Sequence, residues 1–355
     1  MRKFIHSFGI SIVFFLCLLV IAEVCLRYAS GIFSTYSERS GGTGYMSPFV
    51  PFTKARNLEY PAGSLISDVR KELNYTYQAN EFGFFDKNPN KRVSGKLRIL
   101  CIGDSFTHGI GAPQDSSWPK GLDMRLQQLG VEAEVINAGL QGSDPVYSMD
   151  FLENRLFNAY QPDIVLLAIN TTDVYEVALR GGVERFVNDS TVRYRPAPWW
   201  EPMFELSHLV RGVVYSLGYN GYLLQNSDMR QVEEESINII RSRLRDWVDG
   251  QNEDGRAVQL GLILHPLVGE LKGAGQFFIS NAFEPQGQKW FTIDMSDAFV
   301  MDGRLTPKSS DHYFWPIDQH HNSKGYWLFG ELVANRLINR IPAADGSITA
   351  RKTNL

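Results

Sequence analysis

The sequence has little cysteine and no long run of basic residues. Three of its 355 residues are cysteines, and Cys101 alone lies beyond the apolar amino-terminal segment. A lone cysteine cannot form an internal disulfide, so we expect the fold to depend on its apolar core, which this chain length permits. The formal net charge of -4, without a basic block, gives no electrostatic reason to expect a nucleic-acid partner.

Two further absences narrow the class of protein. No segment repeats with a period of about 20 to 50 residues, which argues against a solenoid or a propeller. The histidines do not cluster with carboxylates or thiols at the spacing of metal ligands. The sequence therefore predicts neither a metal site nor another cofactor.

The longest apolar run lies at the amino terminus, from Phe8 to Leu26, and tolerates the single carboxylate of Glu23. As a helix it would be about 28 Å long, close to the thickness of a bilayer core. Arg2 and Lys3 precede it, so we expect that end to stay inside and the rest of the chain to be exported. We interpret residues 1–30 as an uncleaved anchor; the alternative is a signal peptide cleaved at the small residues 29–31.

Predicted strands alternate with predicted helices from Lys96 onward, which indicates parallel βαβ units. We place a stalk and leading extension at 31–95, the main domain at 96–340 with an inserted cap at about 174–235, and a polar tail at 341–355. The predicted strands are 98–102, 133–137, 163–169, 258–264 and 290–293, and the predicted helices are 117–129, 145–159, 235–252 and 323–337.

The most informative motif is Gly-Asp-Ser at 103–105, directly after the apolar run 97–102. A short apolar run of this kind predicts a buried strand that enters a tight turn, which places the Ser105 hydroxyl at the carboxyl end of the sheet. A serine there is a candidate nucleophile. It needs a base, an acid that orients the base, and donors for an oxyanion.

Candidate partners follow other predicted strands and precede the last helix. The loop after the second strand contains Gly142, and a glycine there can present a free N–H. The third strand ends in Asn-Thr-Thr-Asp at 170–173, which offers amide and hydroxyl donors. Asp318 stands two residues before His320 in a loop, as an orienting acid and its base require.

Taken together, these four blocks resemble the SGNH (GDSL-type) hydrolase superfamily, in particular its membrane-anchored bacterial members, over about residues 80 to 338. The resemblance implies an α/β fold: a three-layer α/β/α sandwich of the flavodoxin-like kind, with a parallel sheet of about five strands. It also implies that Ser105 is the nucleophile, with its own N–H as one oxyanion donor and Gly142 as another.

The last block of the family carries His, any residue, Asn, and then Gly three positions later. Asn322 and Gly325 set that register here, which selects His320 as the base and Asp318 as its orienting acid. His321 is the alternative base, because it lies three residues after Asp318, the other common spacing.

The third block departs from the family pattern. The family's Gly-x-Asn-Asp aligns with residues 170–173, so its oxyanion asparagine falls on Thr172. Either the Thr172 hydroxyl or the Asn170 amide, two residues earlier, is the candidate for the remaining oxyanion donor. Removal of one such donor typically raises the barrier by about 2.7–4 kcal/mol.

These assignments predict a serine-dependent ester hydrolase that works through an acyl-enzyme, anchored in the bacterial inner membrane with its site on the periplasmic side. The expected substrates are O-acyl esters, in particular of cell-envelope or exported glycans. Three alternatives stay open: an O-acyltransferase with the same triad, a lipid esterase or lysophospholipase, and a non-catalytic glycan-binding module. With signal cleavage the protein would instead be secreted.

Overall fold

The computed structural model describes residues 2–29, 58–69, 72–93, 95–188, 191–192, 200–217, 229–253, 258–273, 279–283 and 290–341. Residues 31–57 of the expected stalk and leading extension, part of the expected cap, and the polar tail from 342 onward lie outside these described residues.

The strands are β1 (Leu65–Val69), β2 (Asn74–Gln78), β3 (Leu97–Ile102), β4 (Ala133–Asn137), β5 (Ile164–Asn170), β6 (Phe186–Asn188), β7 (Thr191–Val192), β8 (Gln259–His265) and β9 (Trp290–Asp294). The α-helices are Arg2–Ala29, Ser105–His108, Trp118–Gln128, Pro145–Phe151, Phe157–Tyr160, Asp173–Leu179, Glu201–Leu206, His208–Ser216, Met229–Glu253, Val268–Leu271, Ile279–Ala282, Met295–Asp302 and Ser323–Leu337. Short 3₁₀ turns cover Gln114–Ser116, Gly182–Arg185 and Ser310–His312.

The main sheet has five parallel strands in the order β4-β3-β5-β8-β9. Its strands are near-continuous apolar runs because helices cover both faces of a parallel sheet. The predicted α/β fold is confirmed. The chain order reverses between β3 and β5, and in open α/β sheets ligands bind in the crevice at such a point.

Alternate residues of each strand face two separate cores. In β3, Leu100 and Ile102 belong to one cluster, with the long helix Met229–Glu253. Ile99 and Cys101 belong to the other, with the last helix Ser323–Leu337. Burial raises the pKa of the Cys101 thiol well above its usual value, so this cysteine is a packing residue.

Some predicted boundaries were wrong. The long helix begins at Met229 rather than Glu235, and Val232 in its first turns is buried. The predicted helix 145–159 contains the π-helical turn Leu152–Leu156. Within the expected cap, β6 and β7 form an antiparallel pair that the sequence pattern did not indicate.

The extension before the main domain packs against it. Strands β1 and β2 form an antiparallel pair. The Tyr77 hydroxyl donates to the carbonyl of Ala112 at 3.0 Å, and the Tyr77 and Phe85 rings both contact the ring of His108. This part of the extension is therefore held next to the loop that follows the Gly-Asp-Ser turn.

Candidate active site

The Gly-Asp-Ser turn carries Ser105 at the end of β3. Gly103 has φ of +146°, and a Cβ at this position would lie 2.5 Å from Thr107 Oγ1, so a side chain does not fit. Asp104 caps the short helix that follows, because its Oδ1 accepts the Phe106 N–H at 2.9 Å. The turn thus presents Ser105 half-buried at the first position of a helix.

His320 contacts both Ser105 and Asp318. Its Nε2 lies 2.8 Å from Ser105 Oγ, and its Nδ1 lies 2.6 Å from Asp318 Oδ1. A carboxylate accepts but does not donate, so the proton is on Nδ1 and Nε2 accepts from the serine hydroxyl. The structure therefore brings together three of the residues that the sequence selected.

The loop that carries Asp318 is held by a residue that sequence reasoning missed. Glu72, between β1 and β2, accepts the backbone N–H groups of Ile317 and Asp318, each at 2.9 Å. At the other end of the loop, Gln319 adopts a left-handed conformation with φ of +66° and donates its N–H to the carbonyl of Trp315. No motif near Glu72 indicates this role; its partners are more than 240 positions away.

The contacts of Asn322 and Gly325 explain why the last block contains an asparagine and a glycine at these positions. The Asn322 side chain caps the last helix by accepting the N–H groups of Lys324 and Gly325. A Cβ on Gly325 would lie 2.1 Å from the carbonyl oxygen of Tyr313, so only glycine lets these segments approach. Both residues place the histidine loop, and in the described part of the chain neither hydrogen-bonds Ser105.

His321, the alternative base, lies on the other side of the loop. It is fully buried, and its Nε2 lies 3.1 Å from Nε2 of His265 at the end of β8. Burial lowers the pKa of His321 well below its usual value and lowers the pKa of His265 to about 3. Both rings are therefore neutral at physiological pH, and one must donate to the other.

The Phe106 ring lies between this histidine pair and the candidate triad. Its centroid is 4.3 Å from that of His265 and 4.6 Å from that of His320. Sequence reasoning missed the pairing of His265 with His321, because nothing in either local sequence indicates that the two meet. The contacts make the pair part of the wall against which His320 packs.

Asn170 and Thr172 contact each other at the end of β5. The Thr172 N–H and hydroxyl both donate to Asn170 Oδ1, at 2.8 and 2.7 Å. Asn170 Nδ2 donates to Asp104 Oδ2 at 2.8 Å. The single hydroxyl proton of Thr172 is thus already donated to Asn170. The Asn170 amide lies against Asp104, next to Ser105, and has a second N–H that this bond does not use.

Gly142 lies in the turn after β4 with φ of +78°. In the described part of the chain, neither its N–H nor that of Ser105 donates to an acceptor. The Gly142 carbonyl accepts from Arg180 Nη1 at 3.2 Å. The turn is therefore fixed from its carbonyl side.

A buried group of charges lies behind these turns. Asp144 binds Arg185 Nη2 at 2.6 Å and Arg180 Nη1 at 3.2 Å. Burial alone would raise the pKa of Asp144, but the two guanidinium groups lower it to about 2. Burial raises the pKa of Asp104 and, helped by the charge of Asp104, raises that of Asp173 well above its usual value.

Comparison with known proteins finds similarity over only part of the chain. No family model matches the chain. An arylesterase of Vibrio mimicus is 31% identical over 90 residues, which cover 25% of this chain and 44% of the relative, so the match spans less than half of that protein.

Solved structures with similarity to this chain include an acetyl xylan esterase, AlAXEase (TM-score 0.42, 13% identity, 68% of this chain and 100% of that one). Another is a lipolytic protein of the G-D-S-L family from Desulfitobacterium hafniense (TM-score 0.38, 15% identity, 67% and 98%). A third is a two-domain esterase active on acetylated mannans (TM-score 0.40, 13% identity, 68% and 49%).

The described geometry defines the class: an α/β protein with a Ser-His-Asp arrangement at the carboxyl edge of a parallel sheet. The four sequence blocks follow β3, β4 and β5 and precede the last helix, in the order that the resemblance described above implies.

Proposed function

We propose that this protein is a serine-dependent ester hydrolase with Ser105 as nucleophile, His320 as base and Asp318 as orienting acid. The observation that carries the proposal is the continuous contact from Asp318 through His320 to the Ser105 hydroxyl, with separations of 2.6 and 2.8 Å. A hydroxyl is a weak nucleophile until a base in hydrogen-bond contact accepts its proton.

The reaction follows from these contacts. His320 Nε2 takes the proton as Ser105 Oγ attacks the ester carbonyl, and Asp318 stabilises the imidazolium that forms. The tetrahedral intermediate then collapses; the alcohol leaves with the proton from His320, and an acyl-Ser105 remains. Water, deprotonated by His320, attacks this ester and releases the acid.

The oxyanion needs donors that are already in place. The N–H groups of Ser105 and Gly142 supply two of them. For the third we propose the second amide N–H of Asn170 rather than Thr172, because the Thr172 hydroxyl donates to Asn170 and would have to break that bond first.

We further propose that the amino-terminal helix anchors the protein in a bacterial inner membrane and that the site acts outside the cytoplasm on O-acyl esters of envelope or exported glycans. Within the described part of the chain, the segment His6–Tyr28 is long and apolar enough to cross a bilayer. Two similar structures bear names that refer to acetylated glycans: an acetyl xylan esterase and an esterase active on acetylated mannans.

The test uses the full-length protein in detergent micelles, with p-nitrophenyl acetate cleavage and fluorophosphonate labelling as readouts. We expect both in the wild type and neither in Ser105→Ala. Ser67→Ala, which changes an exposed serine on β1, is the matched control and should retain both. A wild type without cleavage or labelling would refute the proposal and favour a non-catalytic glycan-binding module.

Hydrolysis and transfer differ in what attacks acyl-Ser105. Addition of oligosaccharide acceptors during p-nitrophenyl acetate turnover separates them: an esterase releases acetate and p-nitrophenol in equal amounts, whereas an O-acyltransferase gives acetylated sugar at the expense of acetate. Mass spectrometry of the sugar pool measures this partition. Parallel assays with lysophospholipid test the lipid-esterase alternative.

A further inference from the structure

The amino-terminal helix carries a carboxylate that binds the rest of the protein. Glu23 accepts the backbone N–H groups of His208 and Leu209, both at 2.9 Å, and the hydroxyl of Ser207 at 2.7 Å. The two backbone N–H groups lie at the start of the helix His208–Ser216, where the helix itself offers them no acceptor, so Glu23 acts as a cap supplied by a distant segment. Arg27, one turn later, binds the carboxylate of Glu23 at 2.7 Å.

The amino-terminal helix also binds the short helix that precedes His208–Ser216. Arg27 donates to the backbone carbonyl of Leu206, at the end of the preceding helix Glu201–Leu206. The Arg211 guanidinium is buried and donates to the carbonyl of Phe204 at 2.8 Å, so the two short helices are also bonded to each other. They form one unit, 201–217, bonded to the amino-terminal helix; we call it the helix pair.

The position of Glu23 sets the depth of the helix pair. A helix over His6–Tyr28 is about 34 Å long, against a bilayer core of about 30 Å. Glu23 lies about 8 Å before Tyr28, so in a centred span it lies about 5 Å inside the apolar core. A lone carboxylate there is costly unless it is paired, and the helix pair supplies its partners.

The outer surface of the helix pair fits this depth. Among the side chains of 202–217 that the structure describes, the exposed ones are uncharged: Pro202, Met203, Leu206, Val213, Ser216 and Leu217. Leu206 and Leu217 are 74% and 78% exposed. Amphipathic helices with such a face lie about 5–10 Å into the boundary between headgroups and acyl chains.

We propose that the helix pair is a membrane-contacting element that lies in the lipid interface, with Glu23 clamping it to the spanning helix. The occupant of its apolar face is the bilayer. This inference rests on the anchor proposed above and goes beyond it, because it makes the insertion, rather than the anchor alone, a lipid-binding part of the protein. The anchor is then a packed part of the fold and is retained.

The test places a fluorescent probe on the full-length chain in phosphatidylethanolamine and phosphatidylglycerol vesicles. Cys17 and Cys25 are changed to serine, while Cys101 is buried and left in place. Leu217→Cys carries the probe, and Val300→Cys is the matched control because both side chains are 78% exposed. We expect nitroxide-labelled lipid to quench the Leu217 probe several-fold more than the Val300 probe, and aqueous iodide to do the reverse.

Glu23→Ala separates the clamp from simple anchoring. The substitution makes the spanning helix more apolar, so carbonate-resistant membrane association should persist, while the Leu217 probe should become several-fold more accessible to iodide. Glu23→Gln, which keeps an acceptor oxygen, should give an intermediate value. An unchanged probe signal in Glu23→Ala would refute the clamp.

The failures are distinguishable. A Leu217 probe as accessible to iodide as the Val300 probe, in a chain that floats with the vesicles and cleaves ester, refutes the interfacial placement alone. A chain that cleaves ester but does not float refutes both the anchor and the placement. Absence of ester cleavage in the unlabelled wild type refutes the proposed activity. The probe measurement does not depend on that activity, so its result for the helix pair stands.

Discussion

The substitution Asp318→Asn tests the proposed triad most directly. In the wild type, Asp318 Oδ1 lies 2.6 Å from His320 Nδ1 and accepts a hydrogen bond from the Nδ1–H. The other ring nitrogen, Nε2, then has no proton and accepts from the Ser105 hydroxyl at 2.8 Å. An asparagine amide that donates to Nδ1 forces the imidazole proton onto Nε2. Nε2 can then no longer receive the proton of the Ser105 hydroxyl. The side-chain volume hardly changes, so the defect is one of tautomer and charge.

A tautomer error of this kind reduces kcat about 10⁴-fold in Ser-His-Asp enzymes, which corresponds to about 5.4 kcal/mol of barrier. We expect that loss in p-nitrophenyl acetate turnover, with KM little changed. Asp311→Asn is the control: its carboxylate is exposed and pairs with Lys272, so activity should be unaffected. Retention of more than about a tenth of kcat in Asp318→Asn would refute the role of Asp318 as orienting acid.

Three further outcomes are expected. Asn170→Ala should lower kcat about 10²–10³-fold, the cost of one oxyanion donor, whereas Thr172→Ala should cost less than about tenfold. Glu72→Ala should lower kcat about tenfold because two backbone N–H groups of the Asp318 loop lose their acceptor, while Glu81→Ala, an exposed control, should not. Asp144, whose pKa is lowered to about 2, should stabilise the fold by about 2 kcal/mol above pH 4 and lose this as pH falls from about 4 through 2.

Each of these has a result that would count against it. Equal losses in Asn170→Ala and Thr172→Ala would mean that the hydroxyl contributes as much as the amide. A Glu72→Ala defect confined to thermal stability, with kcat intact, would make the Glu72 contact structural only. For Asp144→Asn, the free energy of unfolding in urea should fall by about 2 kcal/mol less between pH 5 and pH 2 than it does in the wild type, because other carboxylates keep their own acid dependence; parallel curves would contradict the assignment.

Periodicity and local motifs predicted the part of the molecule that local sequence determines. The runs at 97–102 and 133–137 were predicted as strands because they are mostly apolar on both faces, which suits a sheet covered on both sides. The spacing of Asp318 and His320 within one loop predicted their contact, since two residues in a tight turn are close whatever surrounds them. The choice of His320 over His321 came from the family register.

Contacts between distant segments were not predictable in this way. Glu72 has no local signal, because its acceptor role depends on where the β1-β2 extension packs. The His265–His321 pair and the binding of Asp144 by Arg180 and Arg185 likewise join segments that only the fold brings together. The start of the long helix was misplaced because its first turns are mostly polar.

The hydrogen bonds at the end of β5 account physically for the departure of residues 170–173 from the family pattern. Where the family pattern has asparagine, the Thr172 N–H and hydroxyl donate to Asn170. The Asn170 amide in turn donates to Asp104, next to the proposed nucleophile Ser105. The threonine therefore orients an amide that comes from the preceding strand end. Thr172→Ser, which keeps the hydroxyl, should therefore retain more activity than Thr172→Val, which keeps the shape of the side chain but loses the hydroxyl hydrogen bond to Asn170. Equal activities in the two variants would show that the hydroxyl does not orient Asn170.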